Sequence, residues 1–153
     1  MVQAMTAEQR TLILDIISQN ESLTLATVRP DGFPQATIVT YVNDGLTLYV
    51  GTWESMQKVE NISTCNKVSA TIGRYDADWA RIRALSLAGT AELVRDAGEM
   101  VRLYGLMAAK YPQTSDYPMP DVKSASVVIR IKPFVVSLMD YSKGFHHNEL
   151  VSV

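Results

Sequence analysis

Thr52, Ser55 and Lys58 recur at every third position just after Leu46, Leu48 and Val50, whose alternation marks a half-buried strand. The pattern breaks at Gly51 and resumes as a short amphipathic segment in which Val59 and Ile62 share a face. Two hydroxyls and an amine at the mouth of a helix are groups that hold an anion. First-turn N–H groups lack acceptors, a serine cap satisfies one, and the positive end of the helix dipole attracts negative charge. The spacing predicts a helix beginning near Ser55. Lys58 then stands where a cation costs roughly 0.3–1 kcal/mol, unless an anion such as phosphate docks on the same amides. An exposed lysine on a plain surface helix, offset by Glu54, fits the spacing too, and the residues alone leave both readings open.

Other reactive types are few. Asp76 and Asp78 form a carboxylate pair, but they sit in a predicted turn, where Asp bonds its own backbone. His146 and His147 are adjacent, so on extended chain they point to opposite faces and make a poor metal pair. No metal site is expected. The single Cys65 excludes an intrachain disulfide and reads as a small buried hydrophobe. There is no nucleophile elbow, Walker loop or dinucleotide fingerprint, so any catalysis would rest on a cofactor that the chain binds and orients.

The chain of 153 residues reads as one domain, 1–153. With 47% hydrophobic and 20% charged residues it has the composition of a globular protein rather than a disordered one. A net charge of −2 without any Lys/Arg cluster gives no footprint for nucleic acid. No apolar run reaches the ~20 residues of a membrane helix, and residues 6–9 are polar where a signal peptide would turn apolar. A cytoplasmic location is expected.

The positioning elements follow from periodicity. Thr6 to Gln9 is a capping box ahead of Leu12, Ile13, Ile16 and Ile17, predicting a helix over 6–19. Strands are expected over 22–28 and 35–42, joined by the turn Pro30-Asp31-Gly32, and Asn43-Asp44-Gly45 turns again. Further strands are expected over 67–73 and 81–94, the latter with a bulge or close approach at Gly89. A helix from Asp96 ends by Lys110, ahead of a loop over 111–124 with Pro112, Pro118 and Pro120. The strand 125–132 is expected to halt at Pro133, with 134–139 continuing after a kink. Six or seven hairpin-connected strands with peripheral helices predict a small, mainly antiparallel barrel.

The segments Ala26 to Ala36, Leu48 to Thr52, Ser55 to Ile62, Asn66 to Thr71 and Leu87 to Leu93, in that order and spacing, resemble the pyridoxamine 5′-phosphate oxidase-like, FMN-binding split-barrel family. The resemblance covers roughly residues 20–94, with 127–133 similar to its closing strand. It implies a split-barrel homodimer with FMN at the subunit interface. The phosphate would sit against Thr52, Ser55 and Lys58, with Asn61 nearby. Ile38, Val39, Thr40 and Tyr41 would lie along the isoalloxazine, mainly through backbone groups. Tyr41, Trp53, Phe145 and His146 are candidates to line the pocket.

Two departures bear on function. The second strand reads Gln35-Ala-Thr37 where tight flavin binders often have a basic residue, and the tail lacks the arginine with which the oxidase grips its substrate. The resemblance thus implies an FMN-dependent oxidoreductase acting on a small molecule, with no residue assigned as acid or base. A non-catalytic flavin or haem binder in storage, sensing or stress response is the alternative, and a deazaflavin-dependent reductase ranks below both.

Overall fold

A computed structural model describes residues 2–117 and 126–153. The strands are β1 (Gln3–Ala4), β2 (Ser22–Val28), β3 (Pro34–Thr40), β4 (Val42–Asp44), β5 (Thr47–Trp53), β6 (Lys67–Gly73), β7 (Arg83–Val94), β8 (Ser126–Asp140) and β9 (Asn148–Ser152). The helices are α1 (Ala7–Ser18), α2 (Gln57–Thr64) and α3 (Ala97–Lys110). Nine strands form one sheet in the order β1-β9-β8-β7-β6-β2-β3, while β5 pairs with β8 and β4 with β5. Every pairing is antiparallel except β1 with β9. This is an open sheet with the form of a split barrel and peripheral helices. Among the described residues no helix is long and apolar enough to cross a membrane.

Several expectations hold closely. Thr6 caps α1, with Gln9 closing the box in both directions, and α1 buries Ile13, Ile16 and Ile17 against the sheet. Strand β2 alternates as predicted and puts Leu23 and Leu25 in the core. Helix α3 is capped by Asp96 and ends at Lys110.

Others need correction. The tail forms β9 and pairs with both β8 and β1, which raises the strand number above the expected six or seven. The predicted strand 81–94 begins at Arg83, because residues 79–81 form a 3-10 turn. Pro133 does not halt its strand; β8 runs straight through it. The register with β7 shifts there, Ala88 facing Val135 and Gly89 facing Pro133, so Phe134 is left over as a bulge. A proline without an N–H is tolerated at such a point. Gly89 is required opposite it, since a Cβ would lie 2.5 Å from the Lys132 carbonyl oxygen. Of the predicted loop 111–124, residues 112–116 form a 3-10 turn, while Pro118, Pro120 and Ala125 lie outside the described residues.

The predicted strand 35–42 is broken at Tyr41, and that break makes the barrel. Before it, β3 pairs with β2; after it, β4 pairs with β5. Tyr41 therefore has no strand neighbour on its backbone, yet it is fully buried. Its N–H donates to the Tyr111 hydroxyl at 3.1 Å, and that hydroxyl lies 2.6 Å from both the Tyr41 and the Glu21 carbonyl oxygens. The Tyr41 hydroxyl in turn donates to the Ile17 carbonyl at 2.6 Å. Burial pushes both phenol pKa values up, keeping them neutral donors. Tyr111→Phe leaves the Tyr41 amide without an acceptor, which predicts a loss of about 1–3 kcal/mol in urea unfolding.

At the opposite end, Glu149 on β9 gathers Gln9 of α1, His147 at 2.6 Å and Lys143 at 3.1 Å. These bonds, that from His147 foremost, lower its carboxyl pKa to about 2. A carboxyl depressed on folding stabilises above its ordinary pKa and loses that contribution as pH falls through the folded value. Glu149→Gln should therefore flatten the wild-type loss of stability between about pH 4.5 and pH 2, measured by thermal melts across that range.

Candidate functional site

Strand β5 ends at Trp53 and the chain turns through Glu54 and Ser55, with the Met56 N–H donating to the Trp53 carbonyl at 3.0 Å. Helix α2 then starts at Gln57, two residues later than predicted, and its cap position is Met56. Ser55 is therefore a turn residue and not the cap. No side chain caps this helix, so the amides of its first turn are left without acceptors from the chain's own side chains. Lys58 is the second residue of that turn.

The charge balance around Lys58 differs from the simplest reading of the sequence. Glu54 does not offset it, because Arg95 at the end of β7 takes Glu54 through two bonds, Nε to Oε1 at 2.6 Å and Nη2 to Oε2 at 3.0 Å. Those bonds hold the Glu54 carboxyl below its ordinary pKa. Glu60 accepts from Gln57 Nε2 at 2.7 Å. Among the described residues no carboxylate lies within 4.0 Å of the half-buried Lys58 amine. The Val59 amide donates to the Met56 carbonyl at 2.9 Å, so the turn holds a cation and two amides, those of Gln57 and Lys58, without an acceptor among the described residues, and the acids Glu54 and Glu60 are engaged elsewhere.

Asn61 has a different task from the one the resemblance implies. It is fully buried, donates Nδ2 to Thr27 Oγ1 and to Gln35 Oε1, each at 2.9 Å, and accepts from Gln57 Nε2 at 3.0 Å. Its amide braces α2 against β2 and β3, and so fixes Lys58 relative to β3. Thr27 and Gln35 are paired across the β2–β3 ladder, so the brace grips both strands at one level. Sequence reasoning missed Gln35, Thr27 and Arg95. Gln35 was the one with a signal, as a polar residue on the inward side of an alternating strand.

On β3, Ile38 is 78% exposed and Thr40 is exposed, while Val39 packs against the core. Among the described residues the strand pairs only with β2 and ends the sheet order, so its outer edge keeps backbone groups for another partner. Tyr41 differs from its neighbours. Its ring is in the core, and both backbone groups and its hydroxyl are bound to Tyr111 and Ile17, leaving it no surface to line. Thr52 and Trp53 are half-buried at the end of β5. Phe145 and His146 lie on the connection between β8 and β9, with ring centroids 3.9 Å apart. Two concavities lie along α1, and no residue of the 52–58 turn lines either.

The structure therefore places Thr52 at the end of β5, Ser55 in the turn that follows and Lys58 in the first turn of α2, braces α2 to the edge strand carrying Ile38 and Thr40, and buries Tyr41 and Asn61. Asn61→Leu leaves Thr27 and Gln35 without their donor in a buried setting, which predicts a loss of about 2 kcal/mol by chemical denaturation. The same measurement on Lys58→Ala should stay within about 0.5 kcal/mol of wild type.

Comparison with known proteins converges on one group. Residues 9–140 match the sequence model of the pyridoxamine 5′-phosphate oxidase family. General stress protein 26 of Bacillus subtilis is 26% identical over 128 residues, covering 84% of this chain and 86% of that protein. A putative pyridoxamine 5′-phosphate oxidase from Listeria innocua is 27% identical, covers 86% of this chain and 98% of its own, and superposes with a TM-score of 0.70. A conserved hypothetical protein from Mycobacterium tuberculosis, 26% identical over 95% of this chain and 91% of its own, gives a TM-score of 0.77. The fold also recurs in an F420 reductase and in a haem storage protein from Vibrio cholerae.

Proposed function

The chain belongs to the pyridoxamine 5′-phosphate oxidase family, and on that footing we propose that it is a flavoprotein that binds FMN and transfers hydride or electrons to or from a small molecule. The observation that carries the reading is Lys58, half-buried in the first turn of an uncapped helix without a carboxylate partner among the described residues. A cation there is disfavoured by the helix dipole, and a phosphate docked on the same amides reverses the sign. The hydroxyls of Thr52, near the end of β5, and Ser55, in the turn that follows, would be further donors.

The flavin ring would lie along the outer edge of β3, where the backbone groups between Ile38 and Thr40 that turn away from β2 have no strand partner among the described residues. Bound FMN supplies the two-electron chemistry; the chain anchors the phosphate at Lys58 and presents strand dipoles to the ring. A second copy of the chain is proposed to cover this edge, because an exposed isoleucine on an unpaired strand is a surface that proteins seldom leave open. The site is then completed across a homodimer interface.

A second reading draws on β3 itself, which carries no titratable residue between Pro34 and Thr40. A strand without an acid or base beside the ring also suits a protein that holds flavin without turning over, in storage, sensing or stress response. The two readings part on one experiment. Purified protein reconstituted with FMN should show an oxidised-flavin band, and anaerobic NADH or NADPH should bleach it, with recovery in air. An inert flavin supports the passive binder. A Soret band, or no uptake of added FMN, overturns both. Lys58→Ala should weaken FMN affinity tenfold or more, about 1.4 kcal/mol, by fluorescence titration; equal affinity removes the phosphate role.

A further inference from the structure

A second constellation lies apart from the 52–58 turn, where the β6–β7 connection meets the β8–β9 connection. A cavity of about 260 Å³ between α1 and the first of these is lined by Arg74, Arg81, Arg83, Asp15 and Asp76, among others. It shares Leu12, Asp15 and Arg83 with a neighbouring concavity of about 610 Å³ that extends to Asp140, Ser142 and Lys143. Together they make one groove along α1.

Three guanidinium groups converge on the cavity and are only partly compensated. Arg83 pairs with the buried Asp140 at 3.2 Å, and Arg81 pairs with Asp78 at 3.3 Å while staying 74% exposed. Among the described residues Arg74 has no carboxylate within 4.0 Å, although Asp76 lines the same cavity. Asp76 instead accepts from the Asp78 N–H at 2.9 Å, shaping the turn. Arginine presents a planar fork suited to a carboxylate or phosphate.

Beside these arginines stands an aromatic shelf on the same two connections. Trp79 stacks on Phe145 with centroids 5.5 Å apart and planes within 9°, and Tyr141 meets Phe145 edge-on at 5.4 Å. The rings are nonetheless open to solvent, Trp79 at 54% and Phe145 at 61%. His146 is the one described non-glycine residue at positive φ, 65°, a conformation uncommon for L-residues, and it lays its ring against Phe145. The exposed outer face of this stack is carried on the same 3-10 turn as Arg81, and an open aromatic face beside a guanidinium group suits a ring that carries an anion.

We propose that this groove and the neighbouring rings bind a small planar aromatic anion, its ring on the outer face of Trp79, which Phe145 backs, and its phosphate or carboxylate at Arg74 and Arg81. Asp15 and Asp76 then accept from hydroxyl or amino groups of the same ligand, which favours a ring that carries donors as well as charge. The site shares no residue with the turn at Lys58, so it does not depend on the flavin reading.

Isothermal titration of the full chain with adenosine 5′-monophosphate, adenosine and inorganic phosphate tests this directly. The monophosphate should bind at least tenfold more tightly than either fragment, because only it engages ring and arginines together. Benzoate, titrated in parallel, tells a carboxylate source from a phosphate source; tighter binding of either anion than of adenosine supports the site. Arg74→Ala, an exposed change, should weaken the preferred anion tenfold or more, and Trp79→Ala should do likewise with an unchanged melting temperature. Lys58→Ala should leave this affinity unaltered. The proposal is overturned when neither anion binds better than adenosine, when inorganic phosphate binds as tightly as the monophosphate, or when binding either survives Arg74→Ala or is lost in Lys58→Ala.

Discussion

The structure turns on the hydroxyl of Tyr111. A strand that leaves one neighbour for another must pass through a residue that has neither, and a buried peptide group without a partner costs about as much as a lost hydrogen bond. Here that residue is Tyr41, and the Tyr111 hydroxyl both accepts from its N–H and lies within bonding distance of its carbonyl. One phenol thus stands in for a missing strand. It comes from the C-terminal end of α3, so the corner of the barrel and the placement of that helix are set together. Lys110, the preceding residue, lays its amine 3.8 Å from the centre of the Tyr41 ring, and burial lowers its pKa. Cation–π attraction and desolvation oppose one another there.

The second constraint is the long strand β8, which pairs with β5, β7 and β9 along its length. A strand serving three neighbours must bend, and the bend is placed where Pro133 has no N–H to lose and Gly89 has no Cβ to collide. The two residues are complementary: the proline makes the irregularity tolerable, and the glycine lets the backbones close to within contact. A bulge also strengthens local twist, which helps an open sheet curl toward a barrel.

Much of this was legible in residue order because most elements here are set by local signals. The capping box at Thr6, the alternation of β2 and β6, the turn at Pro30-Asp31-Gly32 and the cap at Asp96 all act within a few residues of themselves. What could not be read is what depends on distant partners. Residues 35–42 are rich in β-formers and contain no Gly or Pro to mark a stop, and only Tyr111, seventy positions later in the chain, reveals why the strand breaks at Tyr41. Pro133 looked like a stop because its tolerance is conferred by Gly89 on another strand. The tail gave no strand signal strong enough to expect β9, whose pairing is settled by β8 and by the grip of Glu149 on Gln9.

The candidate site shows the same division, and it bears on function. The types and spacing of Thr52, Ser55 and Lys58 pointed to an anion before any fold was known, but the spacing alone allowed Glu54 to cancel the lysine. The fold removes that alternative by assigning Glu54 to Arg95, a residue just past the end of β7. It also spends Asn61 on a brace instead of on a ligand, which exchanges one polar contact for a fixed distance between helix and edge strand. Under the proposed function a phosphate would meet a cation that has no carboxylate partner among the described residues, beside the Gln57 and Lys58 amides. Such binding would need little reorganisation, since the turn is already held by Arg95 on one side and Asn61 on the other.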